Sequence, residues 1–228
     1  MGAALLVAHQ QLQRPRGHAM STAGLGPEYS DAEIRATLEA CKVSFSHSAH
    51  IEEDVADLIA RGQIVGWFQG RMEWGPRALG YRSILADPTR PEMRDRVNAI
   101  IKYREDFRPF APAVLAEAAT DYFLDIKESP FMLFVARARP EQAAKIPSVL
   151  HVDGTARLQT VDQAVNPKFW RLIRAFADRR GVPMVLNTSF NVQGEPIVAA
   201  PRDALRCFFA SGLDALAIGD YLLRKPTV

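Results

Sequence analysis

Arginine and lysine crowd one stretch of this sequence, Met72–Arg108, which carries Arg77, Arg82, Arg90, Arg94, Arg96, Lys102, Arg104 and Arg108. It opens on a glycine-rich turn, Gly75-Pro76-Arg77-Ala78-Leu79-Gly80, and closes on Arg108-Pro109-Phe110-Ala111-Pro112. A planar guanidinium presents paired donors that match phosphate or carboxylate oxygens. A turn rich in glycine lets backbone amides come close to such a group. The chemistry these residue types support is anion binding, for a nucleotide together with a second phosphorylated substrate. The competing reading is a solvated basic helix behind a loop.

Two further polar clusters interrupt otherwise apolar sequence: His151-Val152-Asp153-Gly154-Thr155-Ala156-Arg157-Leu158-Gln159 and Asn187-Thr188-Ser189-Phe190-Asn191. Thr188, Ser189 and Asn191 offer neutral hydrogen bonds to phosphate oxygens or a carbonyl. Arg77, Lys102, Arg108 and Arg157 supply positive charge. Phosphoryl or nucleotidyl transfer needs this combination, because positioning and charge neutralisation do most of its catalysis. Plainer readings stand beside it. Asn187–Asn191 also reads as a turn with self-satisfied side chains, Asp153-Gly154 as an ordinary turn, His151 as a packing histidine, and Glu73 as a structural partner for one of the arginines. The chain has no GxxxxGK[ST] phosphate loop and no GxSxG elbow. His47-Ser48-Ala49-His50 lacks the spacing of an HExxH zinc site, and no metal site is expected from the residues.

Apolar periodicity gives the elements that must position these groups. Ser30-Asp31-Ala32-Glu33 is a capping box for a helix to about Cys41. Helices are expected over Ile51–Arg61, Pro91–Lys102, Ala116–Phe123, Lys168–Arg180 and Pro201–Ser211, with Gly181 stopping the fifth of these. Strands are expected at Lys42–His47, Ile64–Phe68, Phe110–Leu115, Phe131–Arg137, Val182–Leu186 and Ala215–Ile218. The first thirty or so residues read as a short amphipathic helix followed by coil. Strands alternating with helices indicate an α/β domain. If the strands share one sheet, the three polar clusters line one crevice at strand ends.

The totals bound the function. A length of 228 residues suits one large domain or a domain with an appendage. The formal charge of +2 makes any basic site local and speaks against nucleic acid as a partner. Two cysteines, Cys41 and Cys207, form neither a disulfide framework nor a zinc pattern. No stretch approaches the roughly eighteen apolar residues of a membrane span, and a cytoplasmic location is expected.

At Glu73-Trp74-Gly75-Pro76-Arg77-Ala78-Leu79-Gly80, followed by Arg82-Ser83-Ile84-Leu85-Ala86-Asp87-Pro88, the sequence resembles the C-terminal domain of carbamoyltransferases that act on nodulation factors and on antibiotics such as tobramycin and cephamycins. Phe107-Arg108-Pro109-Phe110-Ala111-Pro112, His151–Arg157 and Leu186–Asn191 carry the same resemblance in the same order. It implies a YrdC-like open twisted mixed sheet with flanking helices over residues 28–228, preceded by an extension or linker at 1–27. It also implies binding of ATP and carbamoyl phosphate, formation of carbamoyl-adenylate and release of pyrophosphate. Magnesium is expected with ATP, with no ligand residue assigned.

The family's binding residues carry over onto Arg77, Lys102, Arg108, Arg157, Ser189 and Asn191, with Lys102, Arg77 and Ser189 as the catalytic set. In the family a sugar-kinase-like metal-binding domain passes the carbamoyl group to a hydroxyl. Little of that domain is expected in this chain, so it is implied as a separate domain or chain. The alternative is a non-catalytic nucleotide- or partner-binding module.

Overall fold

The computed structural model describes residues 2–17, 19–102 and 109–225, with the backbone alone at residue 102. Among the described residues ten strands fall in chain order: β1 Ser46–His47, β2 Val65–Phe68, β3 Arg82–Ala86, β4 Ala111–Leu115, β5 Val135–Arg137, β6 Thr155–Arg157, β7 Gln159–Val161, β8 Met184–Ser189, β9 Ala215–Ile218 and β10 Tyr221–Arg224. Eight of them form one mixed sheet in the order β1-β10-β9-β2-β3-β8-β4-β7, while β5 and β6 pair as a separate antiparallel ribbon. Within the sheet β2 and β9 run parallel, as do β4 and β7. The other pairings are antiparallel.

The sheet is covered on both faces, and strand alternation shows it. Val65 and Trp67 of β2 join Leu85, Ala113, Val185 and Ala217 on one face, under the helices Ile51–Ala60 and Pro167–Arg180. Phe68, Ile84, Val114, Leu186 and Ile218 point to the other face, under Asp31–Ala40, Met93–Val97 and Pro201–Ala210. Period-2 alternation over a doubly buried sheet turns each central strand into an unbroken apolar run. Ser30 closes the expected capping box, with Glu33 N donating to its Oγ at 3.3 Å and its own N donating to Glu33 Oε2 at 2.8 Å. Gly181 takes the left-handed conformation at φ 71° that ends Pro167–Arg180.

Several boundaries differ from expectation. Val182–Leu186 was expected to end before the polar cluster, but β8 continues through Asn187, Thr188 and Ser189. The His151–Gln159 loop contains β6 and the start of β7. The basic stretch holds β3 at Arg82–Ala86. Of Lys42–His47 only Ser46–His47 is strand, and of Phe131–Arg137 only Val135–Arg137. Pro91–Lys102 begins as the helix Met93–Val97 and continues as a π-helical turn, Asn98–Lys102. Residues 22–27 are tied to the body. Gly26 N donates to Met72 O at 2.8 Å, Met72 N to Pro27 O at 2.9 Å and Trp74 N to Ala23 O at 2.7 Å.

Candidate anion-binding site

The glycine-rich turn is held by side chains from distant elements. Ala78 O accepts Asn187 Nδ2 at 3.1 Å, and Leu79 O accepts Gln159 Nε2 at 3.0 Å. Glu73 Oε1 accepts Leu79 N at 2.7 Å and Arg82 N at 3.2 Å. Gly80 N donates to Ser83 Oγ at 3.1 Å, and Trp67 Nε1 donates to Gly80 O at 3.0 Å. A buried loop without secondary structure must satisfy its backbone this way. Gly80 is required on two grounds: its φ is 91°, and a Cβ there would stand 2.2 Å from Phe169 Cδ1.

This bracing anchors Ala78–Gly80 and leaves Arg77 exposed at the rim, with no ion pair or hydrogen bond among the described residues. The rim opens into a cleft lined by Pro76, Arg77, Phe110, Met132, Arg157, Asn187, Thr188 and Ser189, together with Ala78, Pro109 and Ala111. The register explains the convergence. Asn187 of β8 stands opposite Leu85 of β3 and Ala111 of β4, and Ser189 stands opposite Ser83. The polar end of the central strand therefore meets the braced turn on one side and the start of β4 on the other. Arg157 enters from β6. Among the described residues the cleft has two guanidinium groups and no carboxylate in its lining.

The carried-over residues sort as follows. Arg77, Arg157 and Ser189 meet in the cleft. Asn191 supports it from behind: its Oδ1 accepts the Ser189 hydroxyl at 2.7 Å, and its Nδ2 donates to Glu195 O at 2.6 Å. Lys102 falls at the end of the π-helical turn, with only its backbone described, and Arg108 lies outside the described residues. The other arginines of the basic stretch that are described do not converge here. Arg90 pairs with Asp87 at 3.2 Å and Arg96 with Asp214 at 2.8 Å. Arg94 pairs with its neighbour Asp95 at 3.1 Å.

Arg82 is wholly buried, with Nη1 donating to Gln69 O at 2.8 Å and its guanidinium 3.5 Å from the Phe68 ring centroid. Burial pulls its pKa down to about 10, with Glu73 opposing that shift. Burial likewise pushes the Glu73 carboxyl above the usual range, against the backbone N–H groups it accepts and against Arg82. Glu73 is thus a structural partner, as expected, though chiefly of backbone amides. His151 is partly buried, and burial lowers its pKa, with Asp153 opposing and Arg157 assisting. Thr155 Oγ1 donates to Asp153 Oδ1 at 2.7 Å and stands 3.1 Å from His151 Nδ1.

Sequence reasoning passed over Asn187 and Gln159 as individual site residues. Asn187 Nδ2 donates to both Ala78 O and Gln159 Oε1, the latter at 3.0 Å. The available signal was their place in the two polar clusters. Beyond Gln159 lies a second, larger cavity bordered by Thr22, Tyr81, Glu128, Phe131, Asp162 and Asn166. Among the described residues no group of three histidine, cysteine or carboxylate side chains could hold a metal ion. No described helix is long and apolar enough to cross a membrane.

Fold and cleft together define an α/β domain with a local basic cleft at the polar end of β8 in a mixed sheet. Residues 56–225 match the family described as "Carbamoyltransferase C-terminus", and this chain belongs to that family. An uncharacterised protein of Synechocystis is 44% identical over 99% of this chain and 41% of its own length. Nodulation protein NolO of Bradyrhizobium diazoefficiens is 43% identical over 99% of this chain and 42% of its own length. A 3'-hydroxymethylcephem-O-carbamoyltransferase of Amycolatopsis lactamdurans is 41% identical over 74% of this chain and 32% of its own. The chain spans about two fifths of the length of the first two relatives. A solved structure of full-length HypF in a phosphate- and nucleotide-bound form aligns with a TM-score of 0.49 at 19% identity, over 81% of this chain and 22% of that one. That likeness is too distant to bear on ligands.

Proposed function

We propose that this domain binds ATP and carbamoyl phosphate in the basic cleft and joins them into carbamoyl-adenylate, for later transfer to a hydroxyl. The observation that carries this reading is the meeting of Arg77, Arg157 and Ser189, from three separate segments, in one cleft lined by no described carboxylate. Two guanidinium groups without a competing anion suit a site that must neutralise several phosphoryl oxygens at once.

The stoichiometry sets what must leave. Transfer of the phosphoryl group of carbamoyl phosphate to water leaves carbamate and phosphate. A carbamate oxygen then displaces pyrophosphate at the α-phosphorus of ATP, so both phosphate and pyrophosphate are products. In this reading Arg77 and Arg157 hold phosphoryl oxygens, and Ser189, fixed by Asn191, lies against the reacting phosphate. Lys102, the last residue of the π-helical turn, and Arg108, ahead of β4 in the sequence, add positive charge. The cleft lining supplies no described carboxylate for magnesium, so the ion would arrive on the ATP phosphates.

The remaining parts of the proposal follow the family. Residues 28–228 form the catalytic body and 1–27 an extension or linker. A sugar-kinase-like metal-binding domain or chain is the partner that completes transfer, in a cytoplasmic setting. The test is pyrophosphate release by the purified chain in a single-turnover assay with ATP and carbamoyl phosphate, repeated with Arg77→Ala and Ser189→Ala. Release that depends on both substrates and falls in both variants is the expected result. Tight ATP binding without release would favour the non-catalytic nucleotide-binding module. Unchanged release in both variants would sink the assignment of the site.

A further inference from the structure

The floor of the cleft holds a polar atom whose orientation the fold decides. Asn187 is 1% exposed and shares the cleft lining with Arg77 and Arg157. An asparagine amide is ambiguous until its neighbours fix it, and here they do. Ala78 O and Leu79 O are backbone carbonyls and accept only. Leu79 O therefore requires the amide nitrogen of Gln159 at 3.0 Å. That turns Gln159 Oε1 toward Asn187, whose Nδ2 must then face both Gln159 Oε1 at 3.0 Å and Ala78 O at 3.1 Å. Turning either amide over would set oxygen against oxygen.

Both N–H groups of Asn187 are thus committed to the wall, and its remaining polar edge is Oδ1. That oxygen is buried and has no hydrogen-bond partner among the described residues. A buried acceptor left unmade is unfavourable by itself and calls for an explanation. It is also out of character with its surroundings, since a site for phosphoryl groups calls for donors. A neutral acceptor at its floor is useful only to a ligand that carries an N–H or O–H beside its phosphoryl group.

Resting on the function proposed above, we infer that Asn187 Oδ1 accepts an N–H of the carbamoyl group and so selects carbamoyl over acyl phosphates. Carbamoyl phosphate and acetyl phosphate differ by NH₂ against CH₃ at nearly equal volume, so shape alone separates them poorly. A site built to hydrogen-bond an NH group rejects the analogue that lacks it, because its own buried group then stays unpaired. Asn187 is in this view a specificity-determining residue, and Gln159 a positioning residue that acts through it.

The test is calorimetric titration of the whole chain with carbamoyl phosphate and with acetyl phosphate, each in the presence of α,β-methylene-ATP. The wild-type chain is expected to bind carbamoyl phosphate at least about tenfold more tightly. Asn187→Ala should bring the two affinities to within about threefold, by weakening carbamoyl phosphate more than acetyl phosphate. Gln159→Leu, which removes the acceptor that fixes the amide, should narrow the ratio in the same direction. A merely structural role would weaken both ligands alike and leave the ratio where it was, and that result overturns the inference. Equal affinities in the wild-type chain overturn it without any variant, while leaving the proposed function standing. If neither ligand binds, the reading of the cleft fails and the inference with it.

Discussion

The cleft at Arg77, Arg157 and Ser189 and the larger cavity beyond Gln159 lie on two sides of one wall. The wall is made of Ala78, Leu79, Gln159 and Asn187, joined by the hydrogen bonds that brace the glycine-rich turn. The larger cavity measures about 860 Å³ against about 410 Å³ for the cleft, mouths included. Its described lining carries Glu128 and Asp162 and no cation, whereas the described lining of the cleft carries two arginines and no carboxylate. Arg77, Arg157 and Ser189 line the smaller space, whose described charges are of one sign. The larger space takes one side from Met20–Ala23, a segment tied in by the pairing of residues 22–27 with 72–74.

The comparison can be broken most directly at the wall. Gly80→Ala would set a methyl group against the Phe169 ring at a backbone conformation that L-residues avoid. It should destabilise the fold by about 3 kcal/mol or more, lowering the melting temperature by about 10 °C and disturbing both cavities. Arg77→Ala and Ser189→Ala test the cleft alone. Each should lower pyrophosphate release by about 100-fold with little change in melting temperature, and a loss of under threefold would mean that the cleft is not the reaction site.

Asn187→Ala leaves Ala78 O and Gln159 Oε1 without a donor, so thermal unfolding should show a loss of about 2 kcal/mol besides any effect on ligands. Glu73 sharpens the picture through pH. Its carboxyl titrates higher in the folded chain than in the unfolded one. The folded state therefore holds the proton more tightly. Stability from this group is greatest below the unfolded carboxyl pKa and declines as pH rises toward the folded value. Glu73→Gln keeps an acceptor for Leu79 N and Arg82 N and should flatten that decline in unfolding curves taken from acid to neutral pH. The smallest effect belongs to the acidic side. Glu128→Gln with Asp162→Asn should change pyrophosphate release by no more than about twofold, since exposed charges across the wall are largely screened.

How much was legible can be judged at particular residues. The helix starting at Ser30 and the one ending at Gly181 were readable, because capping and left-handed termination are local chemistry. The central strands β2, β4 and β9 were readable as short apolar runs. β3 was hidden inside an arginine-rich stretch, and β6 and β7 inside a polar loop reading, because strands of three to five residues leave little periodic signal. β8 was cut short for a related reason. Asn187, Thr188 and Ser189 look like turn residues, yet flanking strands β3 and β4 pair with them as sheet.

By itself the sequence determined the α/β class and the family, because these depend on residue type, order and local spacing. Tertiary structure alone decided which arginines reach the cleft. Arg82, Arg90 and Arg96 read the same as Arg77 in a one-dimensional charge count. Gln69 O just after β2 claims Arg82, Asp87 just after β3 claims Arg90 and Asp214 before β9 claims Arg96, and Arg77 is left at the rim. The fate of a charge is set by the partners that burial brings to it. Those partners come from distant points in the chain. The same holds for Asn187, whose amide orientation is set because Ala78 O and Leu79 O, in a braced turn far away in the sequence, claim the Asn187 and Gln159 nitrogens.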